Sequence, residues 1–423
     1  MRLAYTLIAY CLAPAMLANW LVRGWRERGY WAHLAERLGY GPAVPGRCLW
    51  LHAVSAGEVQ AGVPLVARLR ASHPGLRLVV TTATPAGRAR AQALYPDATV
   101  RYVPIDLPGA VHRFYARVAP VAVVVLETEL WPHLYREAAR RALPLVVASA
   151  RLSERSVRRY RHVATLVGSV LAGVTVAAQT DDDARRFIAI GAEASRVSVS
   201  GNLKFDYTPR PQVAELALSW RVALGTSRPV WVAGSTHPGE EDAVLAAHAT
   251  VLKEHPGALL ILVPRHPPRF AAVEAALRTA GWAYAVRDAP GSLPATGDRT
   301  VLLLATMGEL ECAYAAGDVA FVGGTLVPVG GHNLLEPAAA GRPVLFGPSF
   351  QTAREMAQML VAAGGGAVVR DGADLGAHVA TYLGDPVLRE RAGSAAACAV
   401  ARNRGAASRI AALVVPLLEQ VAD

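Results

Sequence analysis

Short apolar runs rich in β-branched residues alternate with helix-like stretches along most of the chain. The runs cover Leu49–His52, Leu76–Thr81, Val121–Leu126, Leu143–Ala148, Val230–Ala233, Leu259–Val263, Val301–Leu304, Val319–Gly323 and Val344–Phe346. Helical stretches such as Gln60–Ala71 and Leu134–Arg141 separate them. Strands that are apolar on both faces and separated by helices are typical of parallel sheets covered on both sides. The pattern therefore predicts a doubly wound α/β fold.

An internal repeat divides this pattern into two similar halves. Gly57-Glu58 is followed by His73-Pro74-Gly75, and Gly239-Glu240 is followed by His255-Pro256-Gly257, each pair lying 182 positions apart. An apolar run follows the second motif in both halves. The constant offset predicts two related domains that face each other across a cleft. In such sheets ligands bind at the carboxyl ends of the strands, so the loops at those ends are the places to look for chemistry.

The length agrees with this division, because 423 residues suit two domains of about 200 residues each. We expect a first domain over residues 32–207 and a second over residues 212–406. The boundary is placed near Tyr207–Gln212, where Thr208-Pro209-Arg210-Pro211 has the composition of a linker. Residues 407–423 are treated separately, because Ser408–Val421 has the pattern of an amphipathic helix.

Residues 1–31 carry the one membrane signal. Leu3–Val22 lacks charged residues and is long enough to cross a bilayer, although Pro14 and Asn19 interrupt it. Basic and aromatic residues follow directly, which favours an interface with anionic lipid on the cytoplasmic side; they are Arg23, Trp25, Arg26, Arg28, Tyr30 and Trp31. We predict a membrane anchor or an interfacial helix. The alternatives are a buried core helix and a cleaved signal peptide, for which Ala13-Pro14-Ala15 resembles a cleavage site.

Composition narrows the class of protein. Hydrophobic residues make up 53% and charged residues 18%, which is typical of a folded chain. The net charge of +10 favours anionic partners without choosing among nucleic acid, lipid and small molecules. The four cysteines form no C-x-x-C pair, which argues against a disulfide framework or a structural zinc and favours a reducing compartment. Walker A, G-x-G-x-x-G, H-E-x-x-H and G-x-S-x-G patterns are absent, so the sequence does not resemble the ATPases, nicotinamide enzymes, zincins or hydrolases that carry them.

Two acidic clusters follow predicted strands in the first half. Glu58 opens a helix, where it either balances the helix dipole or acts as a general base. Glu127 and Glu129 follow the run that ends at Leu126. If the segment is extended, we expect one of the two carboxylates to enter the cleft and the other to cap the next helix.

A basic residue and an acidic run complete the first half. Lys204, in Gly201–Asp206, is either a solvated surface residue or a group that stabilises negative charge. Asp181-Asp182-Asp183 is interpreted as the acidic first turn of a helix capped by Thr180, and not as a metal site.

In the second half the polar clusters are suited to an anion. Arg265 and His266 stand between prolines just after a predicted strand, where they can bind a phosphate or carboxylate. Gly323-Gly324 and Gly330-Gly331 lie in a strand, loop and helix context that favours a nucleotide phosphate. Glu336, within the helix that follows, is a candidate acceptor for ribose hydroxyls.

These blocks, in this order, resemble the family of Kdo transferases, which attach 3-deoxy-D-manno-octulosonic acid (Kdo) from CMP-Kdo to the lipid A precursor. The resemblance covers nearly the whole chain, and its most specific segments are Ser55–Glu58, Glu127–Pro132, Leu203–Asp206, Pro264–Pro267, Thr306–Leu310 and Gly330–Asn333. Two positions depart from the family pattern: His133 stands where Asn is expected, and Asn202 where Ser is common.

The resemblance implies a GT-B fold, an inverting transfer, and residue roles. By this likeness the first domain binds the acceptor, with Glu58 as the general base and Glu127 and Lys204 supporting the transition state. The second domain binds CMP through Arg265, His266, Met307, Gly308, Glu309, Asn333, Leu334, Leu335 and Glu336. It also implies that no metal or other cofactor is needed, that anionic inner-membrane lipids are partners on the cytoplasmic face, and that the C-terminal helix packs back on the first domain.

Two alternatives remain at this level. Another GT-B enzyme, such as a nucleotide-sugar epimerase, would need neither a lipid acceptor nor the membrane segment. A basic membrane-bound nucleic-acid binder would cluster its basic residues with aromatics on one face, whereas here the arginines are dispersed, so no nucleic-acid partner is expected. The sequence leaves open the number of Kdo residues added, the acylation of the acceptor, the oligomeric state, and whether Leu3–Val22 spans or lies on the membrane.

Overall fold

The computed structural model describes residues 2–289, 291 and 293–419. The chain forms two compact units, which are described separately below. The N-terminal unit contains Met1–Asp206 together with Asn403–Asp423, and the C-terminal unit contains Tyr207–Arg402. The segment 208–211 thus belongs to the C-terminal unit, where Arg210 forms an ion pair of 2.7 Å with Glu311. The segment 403–406 belongs to the N-terminal unit.

The N-terminal unit is built on a parallel sheet with the strand order β3-β2-β1-β4-β5-β6-β7. Its strands are β1 Cys48–His52, β2 Arg77–Thr82, β3 Thr99–Tyr102, β4 Pro120–Leu126, β5 Leu145–Ala150, β6 Thr175–Ala178 and β7 Val197–Val199. Its helices before Tyr207 are α1 Arg2–Arg26, α2 Leu34–Arg37, α3 Ala56–Ala61, α4 Val63–Ser72, α5 Pro85–Leu94, α6 Pro108–Val118, α7 Pro132–Arg140, α8 Glu154–Arg161, α9 Ala164–Leu171 and α10 Asp181–Ala189. Short 3₁₀ helices occupy Arg28–Tyr30, Ala194–Arg196 and Leu203–Asp206.

The C-terminal unit has a second parallel sheet with the order β10-β11-β9-β8-β12-β13-β14. Its strands are β8 Val230–Thr236, β9 Leu259–Pro264, β10 Tyr284–Arg287, β11 Val301–Leu304, β12 Val319–Val322, β13 Val344–Phe346 and β14 Gly366–Val368. Its helices are α11 Val213–Leu224, α12 Glu241–Glu254, α13 Phe270–Thr279, α14 Leu310–Ala316, α15 Leu335–Ala339, α16 Arg354–Ala363, α17 Gly372–Gly384 and α18 Pro386–Arg402, with a 3₁₀ turn at Pro267–Arg269.

The two sheets repeat one topology at the offset seen in the sequence. β1 and β8 begin 182 residues apart, at Cys48 and Val230, and β2 and β9 do the same, at Arg77 and Leu259. In each sheet the strand order reverses beside the first strand, since β1 pairs with both β2 and β4, and β8 pairs with both β9 and β12. Ligands bind at such switch points in open α/β sheets, so the loops after β1, β4, β8 and β12 are the places of interest.

Burial explains why the central strands form. Every residue of β1, β4, β5, β8 and β9 is buried, which requires apolar side chains on both faces of the sheet and helices on both sides. In the N-terminal unit the consecutive residues Trp50 and Leu51 enter two different apolar clusters, one on each face. The predicted doubly wound α/β architecture is confirmed.

Two helices differ from the sequence prediction. The stretch Gln60–Ala71 is two helices, because α3 ends at Ala61 and α4 begins at Val63 with Pro64 in its first turn. Proline has no N–H and therefore cannot continue the hydrogen-bond ladder of the preceding helix. The predicted helix Ser408–Val421 is observed as α19, Ala406–Glu419, and residues 420 and 421 lie outside the described part of the chain.

The last helix belongs to the N-terminal unit. Ile410, Val414 and Leu418 of α19 are buried in the same apolar cluster as Leu65 and Leu69 of α4. Asp206 fixes the start of α19, because its carboxylate oxygens accept the N–H groups of Gly405 and Ala407. A carboxylate at a helix N-terminus satisfies amides that have no partner within the helix.

Helix α1 contacts the rest of the N-terminal unit through one narrow stripe of side chains. The stripe consists of side chains at helical spacing that are less exposed than their neighbours, namely Tyr5, Thr6, Ala9, Ala13, Leu17 and Trp20. The Tyr5 hydroxyl donates to Asp106 at 2.7 Å, and the Arg37 guanidinium stacks over the Trp20 ring at 4.4 Å. The remaining surface is apolar and open: Leu3, Leu7 and Trp25 are 81%, 65% and 84% exposed. By length and composition, α1 is the one helix among the described residues that could cross a membrane.

Candidate active site

Glu58 lies in the first turn of α3, at the carboxyl end of β1. Ser55 caps the helix, since its hydroxyl oxygen accepts the Glu58 N–H at 3.3 Å. The Glu58 carboxylate reaches back: Oε1 accepts from the Ser55 hydroxyl at 2.9 Å, and Oε2 accepts from the Val54 N–H at 2.8 Å. This reciprocal arrangement is a variant of the capping box, in which the acid accepts the N–H of Val54, one residue before the cap, in place of that of Ser55. The structural and the catalytic interpretations of Glu58 are therefore compatible, because the cap fixes the orientation of the carboxylate.

The surroundings make Glu58 a base suited to neutral pH. Burial raises its pKa to about 7, against the lowering effect of the Val54 N–H, and the neighbouring Glu127 adds to the rise. A carboxyl group with a pKa near the operating pH can both accept and release a proton readily. This shift appears only in the folded chain, because it comes from burial and from a residue on another strand.

Glu127 and Lys204 form an ion pair in the same unit. The Lys204 Nζ lies 2.6 Å from Glu127 Oε1, and both side chains are partly exposed. Glu127 directly follows β4 and has a φ of 59°, a left-handed conformation that is unfavourable for a residue with a side chain. Strain of this kind, on the order of 1–3 kcal/mol, concentrates at functional sites. The structure thus brings Glu58, Glu127 and Lys204 together, although 146 residues separate the first from the last.

The predicted conformation of the segment that carries Glu127 and Glu129, and the predicted cap of the next helix, need a correction. The segment is not extended at Glu127, and Glu129 does not cap α7: its Oε2 accepts from the Trp131 indole N–H at 2.6 Å. The cap comes from Asp106, whose carboxylate accepts the N–H groups of His133 and Leu134 at 3.1 and 2.9 Å. Asp106 was missed because it stands 27 residues before His133, in the first turn of the helix that it caps.

Lys204 is held by the 3₁₀ turn in which it lies. The Asn202 carboxamide oxygen accepts the Lys204 N–H at 2.9 Å, and Asp206 at the end of the turn binds the start of α19. Lysine is rare in this chain, since only Lys204 and Lys253 occur among its 43 basic residues. Lysine presents a compact ammonium group where arginine would present a planar guanidinium, so Lys204 places a localised charge beside Glu127.

The two departures from the family pattern both have structural roles. Asn202 is buried and shapes the turn that carries Lys204. His133 starts α7, and its ring lies 5.2 Å from that of Tyr5 on α1. Neither residue displaces a predicted catalytic group.

In the C-terminal unit, Arg265 and His266 follow β9 directly and are both exposed. The backbone N–H of Arg265 donates to the Thr236 carbonyl, which anchors the loop to the end of β8. The guanidinium forms no side-chain hydrogen bond or ion pair with any residue that the structure describes, so its donors face solvent. A free guanidinium at this edge of the sheet can bind a phosphate in bidentate fashion.

The turn Thr306–Glu309 places a second set of predicted CMP residues after β11. Glu309 is paired with the buried Arg287, at 2.8 and 2.5 Å, and also accepts from the Thr306 hydroxyl. Its hydrogen bonds with Arg287 lower the pKa of the Glu309 carboxyl. This carboxylate therefore shapes the turn, which presents the exposed Met307 and leaves Gly308 at a φ of 84°.

The third predicted set surrounds the start of α15. The Asn333 side chain accepts the Leu335 N–H at 3.0 Å and donates to Glu336 Oε1 at 3.1 Å. Burial raises the pKa of Glu336 to about 7. Leu334 and Leu335 are fully buried, so of this predicted set the structure leaves only Asn333 and Glu336 partly exposed.

Glu240 is a residue of this unit that sequence reasoning passed over. It occupies the position of Glu58 in the repeated half, but it is fully buried. Its carboxylate accepts four backbone N–H groups, those of His237, Gly324, Thr325 and Leu326, at 2.7 to 3.0 Å. Glu240 therefore fastens the loop after β12 to the start of α12. The internal repeat includes this residue but gave no sign of its partners, three of which lie 84 to 86 residues away.

We expect Glu240→Gln to lower the free energy of unfolding of the C-terminal unit by about 2–4 kcal/mol, because an amide NH₂ would face backbone donors and leave them unpaired. Chemical denaturation followed by circular dichroism measures this loss. The matched control is Glu215→Gln on the exposed surface of α11, which should change stability by less than about 0.5 kcal/mol. Equal effects of the two substitutions would contradict the role given to Glu240.

The acidic run Asp181–Asp183 is the start of a helix. Thr180 caps α10, with its hydroxyl oxygen accepting the Asp183 N–H at 3.1 Å, as predicted. Asp183 turns inward and accepts the Leu152 N–H at 2.9 Å. Within the described residues, no group of three or more His, Cys, Asp and Glu side chains has the arrangement of a metal site.

Known proteins with similar sequences identify the family. A family described as 3-deoxy-D-manno-octulosonic-acid transferase matches residues 32–207. A 3-deoxy-D-manno-octulosonic acid transferase of Haemophilus influenzae is 37% identical over 425 residues, covering 99% of each chain. The protein of that name from Bordetella pertussis is also 37% identical, covering 96% of this chain and 97% of its own. The chain belongs to the Kdo transferase family.

The sequence resemblance is thereby confirmed, and this Kdo transferase family member is a glycosyltransferase. Among solved structures, a putative UDP-N-acetylglucosamine 2-epimerase from Listeria monocytogenes matches with a TM-score of 0.56, covering 88% of this chain and 97% of its own. At 13% identity the likeness shows the fold alone. Together with the two parallel sheets it confirms the GT-B architecture expected for the family.

Proposed function

We propose that this protein transfers Kdo from CMP-Kdo to the lipid A precursor lipid IVA, with inversion of configuration, during synthesis of the lipopolysaccharide core. The main support is that, in a chain of the Kdo transferase family, the Glu58 carboxyl lies beside the Glu127–Lys204 pair and has a pKa of about 7. We assign the acceptor to the N-terminal unit and the CMP-sugar to the C-terminal unit.

In the proposed reaction, Glu58 accepts the proton of an acceptor hydroxyl as its oxygen attacks the anomeric carbon of Kdo. The bond from that carbon to the CMP phosphate oxygen breaks on the opposite face, and its electron pair leaves with the phosphate. The Ser55 and Val54 bonds hold the Glu58 carboxylate in place throughout. The Lys204 ammonium, positioned by Glu127, offsets negative charge that develops in the transition state.

The donor site is proposed to hold CMP through three loops at the edge of the second sheet. Arg265 and His266 are assigned to the phosphate, and the turn Met307–Glu309 and the segment Asn333–Glu336 to the nucleoside. The free guanidinium of Arg265 and the raised pKa of Glu336 support this assignment. The proposal invokes no metal and no other cofactor, because these groups supply the positive charge and hydrogen bonds that the leaving phosphate needs.

The test is transfer of radiolabelled Kdo, supplied as CMP-Kdo made in the reaction mixture, to tetraacylated lipid A precursor. Parallel reactions with and without EDTA check the absence of a metal. A reaction with another CMP-sugar in place of CMP-Kdo checks the specificity for the sugar. Labelled lipid product formed only from CMP-Kdo is the expected result. Folded protein that gives no product under any of these conditions would refute the proposal.

We further propose that the protein lies on the cytoplasmic face of the inner membrane, with α1 in the interface parallel to the membrane plane. Tyr5 and Trp20 both contact the N-terminal unit, so a spanning orientation would break contacts along about 22 Å of helix. The opposite face exposes Leu3, Leu7 and Trp25 for insertion among anionic lipids. Tyr30 is excluded from this face, because it is buried.

An N-terminal epitope tag distinguishes the two orientations. If α1 lies in the plane, the tag stays in the cytoplasm, and protease added to spheroplasts should leave it intact. If α1 spans the membrane, the tag is periplasmic and is removed. A tagged periplasmic protein in the same cells controls for protease access, and Leu7→Glu should release part of the protein into the soluble fraction.

A further inference from the structure

Five arginines cluster in the short segment that follows β5. Arg151 comes directly after the strand, and the other four lie on α8, namely Arg155, Arg158, Arg159 and Arg161. All five side chains are exposed. Among the residues that the structure describes, only Arg158 has an ionic partner, Glu154 at 3.9 Å, and the other four guanidinium groups form no hydrogen bond or ion pair. The segment therefore presents a concentration of unpaired positive charge.

This segment begins at the edge of the sheet that carries the proposed catalytic residues. β5 pairs in parallel with β4, so the two strands end side by side. The Thr128 hydroxyl, in the loop that follows β4, donates to the Arg151 carbonyl. The Ser149 hydroxyl accepts the N–H of Leu203 at 3.2 Å, in the turn that also carries Lys204. The end of β5 is therefore bonded to both segments that supply the proposed catalytic ion pair.

Hydrogen bonds also fix the backbone between Arg151 and Arg155. The Leu152 N–H donates to Asp183 at 2.9 Å, and Ser153 caps the start of α8 with its hydroxyl oxygen. Because the backbone is already held, only the two arginine side chains have to be ordered when an anion binds.

One face of α8 packs on the core, which leaves the arginines in solvent. Val157 is buried in the apolar core of the unit, and Tyr160 packs against the same cluster. Arg155 and Arg159 stand one helical turn apart, at the spacing of neighbours on a helix surface. Like charges at this spacing repel each other, so a bound anion would stabilise both side chains.

The chemistry of the segment suits a phosphate monoester. Guanidinium groups bind phosphate through two parallel hydrogen bonds, and a monoester offers three acceptor oxygens that two arginines can share. Lipid IVA, the proposed acceptor, carries phosphate monoesters on its disaccharide. The carboxylates of Glu58 and Glu127 would repel such a group, and arginines at the same edge of the sheet offset this repulsion.

We propose that Arg151 and Arg155 bind a phosphate monoester of the acceptor lipid. This inference rests on the proposed function, since it names the part of the acceptor that the N-terminal unit recognises. The phosphate takes no part in the transfer, so the contact is the same in the ground state and in the transition state. Uniform binding of this kind lowers the KM for the acceptor and leaves kcat unchanged.

Kdo transfer by the full-length protein in detergent micelles tests the proposal, with CMP-Kdo saturating and the acceptor varied. The acceptor is used in two forms, tetraacylated lipid A precursor and the same lipid after enzymatic removal of its phosphates. We expect Arg151→Gln and Arg155→Gln each to raise the KM for the intact acceptor by about five- to twentyfold, with kcat within about twofold of the wild type. Removal of the phosphates should raise the KM of the wild type at least as much, and should have little effect on the double variant.

The matched control is Arg158→Gln. Arg158 lies on the same helix, but its guanidinium is paired with Glu154. This variant should keep a KM for the intact acceptor within about twofold of the wild type.

The remaining outcomes contradict the inference. A wild-type KM that does not change on removal of the phosphates would overturn it, even if an arginine variant fails to fold. Equal increases in KM for both acceptor forms in the double variant would show that the arginines do not bind phosphate. A rise in the KM for CMP-Kdo alone would assign them to the donor. Weaker binding to vesicles of phosphatidylethanolamine and phosphatidylglycerol, with an unchanged KM in micelles, would assign them to the membrane surface.

The same assay separates this inference from the proposed function. In each of these cases Kdo transfer by the wild type leaves the proposed function standing. Absence of transfer by folded wild type would overturn the function and the inference together.

Discussion

Replacement of Glu58 by glutamine is expected to lower the turnover of Kdo transfer by about 10²–10⁴-fold, the usual contribution of a positioned general base. Glutamine keeps the shape of the side chain, and its oxygen can still accept the Val54 N–H while its NH₂ donates toward Ser55. The folded structure should therefore survive, and the loss should fall on the chemical step. Transfer to tetraacylated lipid A precursor under saturating conditions measures this effect.

The pH dependence gives a second, independent readout of Glu58. Its pKa is raised to about 7, and a base works only when ionised. The kcat/KM of the wild type should therefore be level above pH 7 and fall tenfold per pH unit well below it. Because Glu336 also has a pKa of about 7, variants must show which of the two residues causes the fall in kcat/KM at low pH. It should disappear from the residual activity of Glu58→Gln and persist in Glu336→Gln.

The matched control for Glu58 is Glu154→Gln, an exposed glutamate of the same unit on α8. This variant should transfer Kdo at the wild-type rate. If Glu58→Gln retains activity within about threefold of wild type, the residue is only the capping-box member that its hydrogen bonds describe, and another group must act as the base.

The second large effect is expected at Lys204. Lys204→Met removes the ammonium 2.6 Å from Glu127 while keeping most of the apolar stem, and should lower kcat by about 10²–10³-fold with little change in the KM for the acceptor. The expected split follows from the assigned role, since a charge needed only in the transition state does not contribute to binding of the ground state.

The chain contains its own control for this experiment. Lys253 is the only other lysine, and it is exposed at the end of α12, so Lys253→Met should leave transfer unchanged. Thermal denaturation checks that Lys204→Met remains folded despite the unpaired Glu127. A rise in KM with an unchanged kcat would show that Lys204 binds substrate in the ground state, contrary to the role assigned to it.

The central elements of the fold followed from local pattern, and the peripheral ones did not. Strands such as β4 and β9 are continuous apolar runs because both faces of the sheet are covered. The edge strands β7 and β14 have three residues each and are partly exposed, so their sequences lack that signature. The break at Gly62 was missed because the apolar periodicity continues through it, although Pro64 marks the new helix.

Candidate site residues were predictable where they stand next to a strand. Glu58 and Glu127 follow apolar runs of the first sheet, and Arg265 follows one of the second. In each sheet the parallel topology brings such positions to the edge where the strands end. The cap on α7 was predicted to come from one of the neighbouring residues Glu127 and Glu129, whereas Asp106 supplies it from another loop. The sequence around α7 does not indicate a capping residue that comes from another loop.

The sequence by itself determined the fold class, the internal repeat and the family, because these depend on periodicity, on a constant offset and on short motifs. Tertiary structure alone decided the chemical state of the site. The raised pKa of Glu58 arises from burial and from the nearby carboxylate of Glu127, which follows another strand, and the Glu127–Lys204 ion pair joins residues 77 positions apart. Proton affinity depends on the local dielectric and on charges within a few ångströms, and only the folded chain sets those distances.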